Sequence, residues 1–400
     1  MRSFIKRIMP EKLKELYRKV RGNLLGLCFA LFGHLPIKQR RIVFENVWGY
    51  GDNPKSIALA LKKMDRKSEI IFVTGGKKKG LNSGKASKGI RFVSSGSISA
   101  VYYLATAGVW VDCNHKPYYT RKRSGQFYMQ TWHGSLPLKR IEGDAYGLSE
   151  EYLEEASYDT QLADVFLSNG DFCTDIYRHA FGYKGEVAVT GSPRLDSLLR
   201  SSRSRREKIV KRLKLPGDNG IAIYAPTFRG GGEDAGPIKA FDAKKITAAL
   251  KDRFGKDFTI MVRLHPLAVS HGCSAANMGG TVLDVSSYPN IYELMEAADV
   301  LITDYSNVMF EFSYTGKPCF LFAPDSERYR GERGMYFVYE DLPFPKAKNC
   351  EELCDLIRTC DIDRYAALAG AFYRDLGVRE DGRASRRAAG IILRELDSRS

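Results

Sequence analysis

From residue 41 to residue 322 the chain alternates short apolar runs with helical stretches, and this alternation limits the fold more than any other feature of the sequence. The runs at 42–45, 70–73, 91–93, 109–111, 127–130, 165–167 and 187–189 are short, often β-branched, and end in polar or Gly/Pro turns, which predicts strands. A second series follows at 221–224, 259–264, 282–283, 300–302 and 320–322. Helical periodicity lies between them at 54–64, 97–105, 172–181, 243–254 and 306–314. Strand, helix, strand in succession implies parallel sheets covered on both faces. A highly charged helical stretch at 200–214 and the turn-rich Leu215-Pro216-Gly217-Asp218-Asn219-Gly220 interrupt the series. We therefore expect an α/β chain with one domain at 41–195 and a second at 218–375. An amino-terminal segment occupies 1–40 and a closing helix falls within 376–400, where Ala388, Ala389, Ile391, Ile392 and Leu396 recur at helical spacing.

A hydrophobic content of 44% suffices for real cores and excludes a disordered or collagen-like chain. The eight cysteines are scattered, and the one close pair, Cys350 and Cys354, does not match zinc-finger spacing, so free thiols and a reducing compartment are expected. His115, His179 and His271 have no paired ligands at metal spacing, and we expect no metal site. The net charge of +15 is unevenly placed: residues 1–41 hold eleven Lys/Arg against Glu11 and Glu15 and so carry +9 of it. Nucleic-acid binders spread basic groups over a folded face, so we expect no nucleic-acid partner. Beside the basic stretch lies a mostly apolar one at 24–37, too short to span a bilayer. A signal peptide, a helix buried on the main domain and an interfacial anchor all fit. We expect the anchor, with Leu24, Leu25, Leu27, Phe29, Leu31 and Phe32 in the acyl boundary and the Lys/Arg groups on an anionic membrane surface.

In open α/β sheets ligands sit beyond the carboxyl ends of the strands. His133 follows a strand directly, within Gln130-Thr131-Trp132-His133-Gly134, and Gly134 leaves room for a ligand near the backbone. Such a histidine can serve as a general base, or can simply be hydrogen-bonded in its loop. Arg263 and His265, two apart at the end of another strand, should share one face and suit a phosphate, or an ion pair with a carboxylate. The turn Thr303-Asp304-Tyr305-Ser306-Asn307 before an apolar helix carrying Glu311 is an anion site or an ordinary helix cap. Asp304 there would repel phosphate unless it holds a donor group or binds a ligand hydroxyl. Further strand-end turns carry Arg194, and Thr227 and Arg229 followed by Gly230-Gly231-Gly232. No P-loop and no dinucleotide fingerprint is present, which argues against a Rossmann dehydrogenase.

In order and spacing the chain resembles the CDP-glycerol glycerophosphotransferase family of bacterial teichoic acid and related polymer synthesis. The matching stretches are QTWHG at 130–134, GSPRLD at 191–196, YAPTFR at 224–229, RLHP at 263–266 and ADVLITDYSNVMFEFSYTGKP at 298–318, with PDSERYRGERGMYF at 324–337. The resemblance implies a GT-B-like fold, two Rossmann-like parallel-sheet domains facing across a cleft. It also implies transfer of glycerol phosphate from CDP-glycerol to a hydroxyl of a lipid-linked or polymeric acceptor at the cytoplasmic face of the membrane, with release of CMP. On that pattern His133 is the general base and His265 a second catalytic group. Arg263, Thr227, Arg229, Asp304, Ser306, Asn307 and Glu311 would hold the donor, and Gly134, Ser135, Lys139 and Arg194 would line the acceptor side. No cofactor is required, although Mg2+ can arrive with the nucleotide. After Gly134 the sequence is one residue longer than the family's usual pattern, and Asn307 stands where Ser is frequent. The absence of a large extra domain favours a single-transfer enzyme over a long-chain polymerase. Two other readings fit the same residues: a transferase using CDP-ribitol or a nucleotide sugar, and a non-enzymatic membrane-associated assembly protein.

Overall fold

The computed structural model describes residues 10–75, 87–229, 235–275, 278, 282–325 and 334–399. The glycine run 230–232 and part of the 324–337 stretch lie outside the described residues, as do Arg2, Lys6 and Arg7. The first domain is built on β1 (Lys38–Asn46), β2 (Glu69–Thr74), β3 (Ile90–Ser94), β4 (Ala107–Asp112), β5 (Phe127–Gln130), β6 (Val165–Ser168) and β7 (Glu186–Val189). They pair in the order β3-β2-β1-β4-β5-β6-β7, parallel throughout. The second sheet is β8 (Gly220–Tyr224), β9 (Phe258–Val262), β10 (Val282–Asp284), β11 (Val300–Thr303), β12 (Cys319–Phe322) and β13 (Lys346–Ala347), also parallel, in the order β10-β9-β8-β11-β12-β13. These are the two facing Rossmann-like domains of the expected architecture.

Central strands are buried at every position, as in Phe258–Val262 and Gly220–Tyr224, because helices cover both faces. Ile42, Phe44 and Ile57 form one layer over the first sheet, and Val43, Ile71 and Trp110 form the other. A third core joins the domains, with Trp132, Leu136 and Leu138 packed in the same cluster as Met309, Phe310 and Phe312. The floor of the cleft is therefore a continuous apolar contact.

Three expectations need correction. The strand expected at 259–264 stops at Val262, because Pro266 at the first position of the helix Pro266–Ser270 makes His265 its N-cap. Arg263 and His265 thus do not share a strand face. The helix expected at 306–314 spans only Val308–Ser313. The basic and apolar amino-terminal stretches form one helix, Glu11–Phe32, ending at Gly33. In it Leu25 and Phe29 are core residues, Phe29 lying edge-on to Trp110 at 6.3 Å, so these two cannot enter a bilayer.

The closing helix, Ala384–Asp397, does not stay with the second domain. Ala388, Ala389, Ile392 and Leu396 pack on Ile42, Phe44 and Ile57 of the first. Gly191 makes this return possible: its φ is +82°, and a Cβ there would lie 2.5 Å from the Arg379 carbonyl oxygen.

Candidate active site

All the strand-end turns of the first sheet open on one edge, and His133 stands there at the end of β5. Two buried carbonyl–amide clamps hold its loop in an uncommon backbone. Trp132 has φ +51°, a left-handed conformation that costs a bulky residue about 1–2 kcal/mol. Gln130 Oε1 accepts from the Trp132 amide at 2.9 Å, and Asn53 Nδ2 donates to the carbonyls of Thr131 and Trp132 at 3.2 and 3.0 Å. The Trp132 and His133 ring centres lie 4.0 Å apart with their planes tilted by 34°.

His133 Nδ1 lies 3.0 Å from the Cys113 carbonyl oxygen. A carbonyl only accepts, so the neutral ring carries its proton on Nδ1 and keeps the Nε2 lone pair for the cleft. Surrounding protein lowers the pKa below the ordinary 6.5; the Cys113 bond and Asp52 oppose the shift, and Arg194 adds to it. The residue remains exposed. A neutral, solvent-facing imidazole with a free Nε2 is a proton acceptor at pH 7. Gly134 beside it needs no special backbone, and a Cβ would meet only Trp132 at 3.6 Å, so its bareness keeps space next to the imidazole.

Ser135 and Arg194, expected to line the acceptor side, are instead buried in the seam between the domains. Arg194 donates to both oxygens of Asp52 at 3.3 and 3.2 Å, to the His133 carbonyl and to Glu311. Its backbone amide donates to Asn53 Oδ1 at 3.0 Å. Ser135 Oγ donates to Glu311 Oε1 at 3.1 Å, and the Tyr292 hydroxyl donates to Glu311 Oε2 at 3.0 Å. Glu311 is thus occupied by protein donors rather than turned toward a ligand. Asn307 Oδ1 accepts from the Leu138 amide at 3.0 Å, and Lys139 forms an isolated antiparallel bridge to Met335. The loop after His133 is in this way fastened to the second domain. Asp52, with φ +61°, is another left-handed residue at this junction.

On the second sheet, Arg263, Thr227 and Asp304 follow the neighbouring strands β9, β8 and β11. Asp304 is buried and accepts from the Thr227 amide and hydroxyl at 2.9 and 2.6 Å, and pairs with Arg229 at 2.7 Å. Arg229 also bonds Asp325 at 2.7 Å. Burial opposes its charge, but Asp304 and Asp325 outweigh burial and hold the guanidinium above its usual pKa. Asp304 therefore shapes the turn by holding donor groups, which removes its repulsion of a phosphate. Ser306 Oγ stands at 3.5 Å from the Val308 amide at the helix start.

Arg263 differs. Its guanidinium donates to the Tyr288 carbonyl at 2.5 Å, and among the described residues no carboxylate pairs with it. Burial lowers its pKa. A half-buried cation without a counter-charge is a site made for an anion. His265 Nδ1 accepts from the Leu267 amide at 3.2 Å, which places the proton of the neutral ring on Nε2. The ring stacks on Phe228 at 5.4 Å. The two histidines differ in the role that Nδ1 fills: that of His133 faces a carbonyl, whereas that of His265 accepts from an amide.

Asp52, Asn53 and Tyr292 take part here without any sequence signal of their own; only the helix start before Pro54 marked the region. His115, expected from sequence only to lack paired metal ligands, is half-buried; burial opposes its charge, but Asp159 and Glu142 push its pKa up to about 10. It sits 3.3 Å from Glu142 and 3.4 Å from Asp159, 5.4 Å from the Trp132 ring. Among the described residues no three His, Cys, Asp or Glu side chains converge as metal ligands.

The family model described as CDP-glycerol:poly(glycerophosphate) glycerophosphotransferase matches residues 27–394. A teichoic acid poly(glycerol phosphate) polymerase of Bacillus subtilis (strain 168) is 28% identical over 414 aligned positions, covering 98% of this chain and 55% of that protein. The chain thus spans about half the length of that relative. A protein of the same description from Bacillus spizizenii is 28% identical over 96% of this chain and 100% of its own length. Among solved structures, a histidine variant of the wall teichoic acid polymerase TagF matches with a TM-score of 0.80 and 27% identity over 98% of this chain and 100% of that one. Another TagF variant, soaked with CDPG, matches equally well.

Proposed function

The chain belongs to the CDP-glycerol:poly(glycerophosphate) glycerophosphotransferase family, and from that premise we propose that it transfers glycerol phosphate from CDP-glycerol to a hydroxyl of a lipid-linked or polymeric acceptor. The observation that carries this reading is the His133 ring: Nδ1 is committed to Cys113 and Nε2 is free, in a residue whose pKa burial lowers. Nε2 takes the proton of the acceptor hydroxyl. The hydroxyl oxygen forms a bond to the glycerol-bearing phosphorus, and the bond from that phosphorus to the bridging pyrophosphate oxygen breaks. CMP leaves with the electron pair. Arg263 meets the growing charge on the leaving phosphate, and His265 donates from Nε2. Thr227, Arg229, Asp304, Ser306 and Asn307 shape the pocket around the donor. Phosphoryl transfer needs placement and charge more than a covalent nucleophile. Magnesium that takes part would come bound to the nucleotide.

The amino-terminal helix fits an acceptor presented at an anionic membrane surface on the cytoplasmic side. Leu13, Leu16, Tyr17, Val20, Leu24, Leu27 and Leu31 are all exposed and fall on one stripe about 100° wide. Lys12, Lys14, Arg18, Lys19 and Arg21 flank it. No described helix is long and apolar enough to cross a membrane, so the stripe suits an interfacial position. Arg21 donates to the Gly96 carbonyl in the turn after β3. That turn is on the strand-end edge that carries His133, so the preceding helical turns extend past the side where an acceptor would enter.

The test is CMP release by the purified full chain from CDP-glycerol, CDP-ribitol and UDP-sugars, with and without vesicles containing lipid-linked acceptor. Acceptor-stimulated release from CDP-glycerol supports the reading. Release from another donor alone would change the substrate, and donor binding without any release would favour an assembly protein.

A further inference from the structure

The carbonyl that receives His133 Nδ1 belongs to a strap, residues 112–116, which leaves the end of β4 and meets the imidazole at Cys113. Two buried carboxylates fix this strap. Asp112 Oδ1 accepts from the Cys113 and Asn114 amides at 2.7 and 2.9 Å, so a side-chain oxygen closes the turn. The Asp112 carbonyl accepts from the Thr131 amide and hydroxyl at 2.8 and 3.0 Å, which ties the strap to the segment after β5. At the far end Asp159 Oδ1 accepts from the Lys116 amide at 2.9 Å.

Each carboxylate is matched. The Lys116 side chain is 1% exposed, and its ammonium lies 2.7 Å from Asp112 and 2.6 Å from Glu45. Burial pushes the Asp112 carboxyl up to about 7; Lys116 opposes that rise and Glu45 adds to it. Asp159 also accepts from the Tyr128 hydroxyl at 2.7 Å and from Gln130 Nε2 at 2.8 Å. Gln130 Nε2 donates to the Asn114 carbonyl at 3.1 Å, while its Oε1 holds the Trp132 amide. The strap and the His133 loop are thus bound to each other on two sides. A buried ion pair adds little net stability over apolar side chains of the same size, so what this cluster supplies is a fixed geometry. The geometry it fixes is the direction of the Cys113 carbonyl. A free neutral imidazole carries its proton mainly on Nε2, so a ring with an open Nε2 has to be held by the partner of its Nδ1.

We propose that Asp112 is a positioning residue for the transfer: it aims the Cys113 carbonyl so that His133 keeps its proton on Nδ1 and its Nε2 lone pair for the acceptor hydroxyl. This rests on the transferase reading above and adds the residue that sets the tautomer of its base. The carboxylate acts at one remove, through a backbone carbonyl, and Lys116 is the counter-charge that lets it be buried there.

The test is nitrogen-15 spectroscopy of the histidine side chains in the full chain, since protonated and bare ring nitrogens resonate far apart. The His133 signals are those missing from His133→Ala. Well above its pKa, wild type should show Nδ1 protonated and Nε2 bare. Asp112→Ala releases the two amides but strands no charge, because Lys116 keeps Glu45. It should move the proton toward Nε2 and lower kcat about 10- to 100-fold, with CDP-glycerol affinity within about twofold. Asp112→Asn retains an oxygen for the two amides and should keep the wild-type tautomer and most of the rate. Should Asp112→Ala not fold, Asp112→Ser leaves a weaker acceptor and should show the same shift at smaller amplitude. A folded Ala or Ser variant with the wild-type tautomer would overturn the proposal. So would an Asp112→Asn as impaired as Asp112→Ala, or a loss of CDP-glycerol affinity in step with the rate. Failure of the transferase reading has a different signature, wild-type protein that releases no CMP from CDP-glycerol, and the tautomer comparison still decides the role of Asp112.

Discussion

Arg194 and Glu311 meet across the seam between the two domains, both buried, and the same guanidinium donates to the carbonyl of His133. The His133 loop and the helix Val308–Ser313 are therefore joined through one side chain. Removing one partner of a buried pair leaves the other charge uncompensated. Arg194→Leu should cost about 3–5 kcal/mol in denaturant unfolding, and Glu311→Leu a similar amount. The double variant should cost clearly less than the two together, since both buried charges then leave. Additive losses would show that the two side chains do not act as a pair.

Arg229 and Arg263 come from neighbouring strand ends but should behave in opposite ways. Arg229 is held by two carboxylates, so Arg229→Met should lower stability by about 3 kcal/mol. Arg263 has only the Tyr288 carbonyl, so Arg263→Met should leave the melting temperature unchanged or raised while weakening CDP-glycerol about 10- to 100-fold. Thermal melts and donor calorimetry on both variants separate the structural cation from the ligand-binding one.

His115 gives the fold a pH dependence. Burial alone would lower its pKa, but Asp159 and Glu142 outweigh burial and push it up to about 10 from 6.5. A raised folded-state pKa means that the stabilisation is complete below about 6.5, falls as pH rises, and is gone above about 10. His115→Gln should therefore destabilise most at pH 6, by about 3 kcal/mol, and much less at pH 9.5. Unfolding midpoints at the two pH values give the sign directly.

The two faces of the amino-terminal helix make separate predictions. Leu24, Leu27 and Leu31 are exposed, so the triple change to Gln should abolish sedimentation with anionic vesicles and leave the melting temperature unchanged. Leu25→Gln puts a polar group into the core beside Phe29 and should lower stability by about 2–3 kcal/mol. Raising salt should weaken vesicle binding of the wild-type chain, because salt screens Lys and Arg groups from anionic headgroups.

The strands were legible because buried parallel strands read as β-branched runs that end where the chain turns. The position of His133 followed from the same logic. The two-residue strand Lys346–Ala347 was too short to give a pattern. Arg263 and His265 misled as a pair: alternation predicted a shared face, whereas Pro266 imposed a helix start. Arg194 was readable as a strand-end residue, but its partner Glu311 lies 117 positions further on and no local spacing reveals it. Asn53 supports the His133 loop from 78 positions away, and no local spacing reveals that either. Long-range hydrogen bonds leave no periodic trace, so the residues at strand ends were visible and the scaffold holding them was not.

The claim tested most directly is that His133 removes the acceptor proton. The measurement is acceptor-dependent CMP release from CDP-glycerol by wild type and His133→Ala across pH, alongside CDP-glycerol binding by calorimetry. General-base removal should lower turnover about 100- to 10,000-fold while donor affinity stays within about twofold. The wild-type kcat/KM should fall on the acid side with an apparent pKa below 6.5, because burial lowers that of His133, and the variant should lack this limb. A His133→Ala protein that keeps its rate, or that loses donor binding in proportion to rate, would contradict the account.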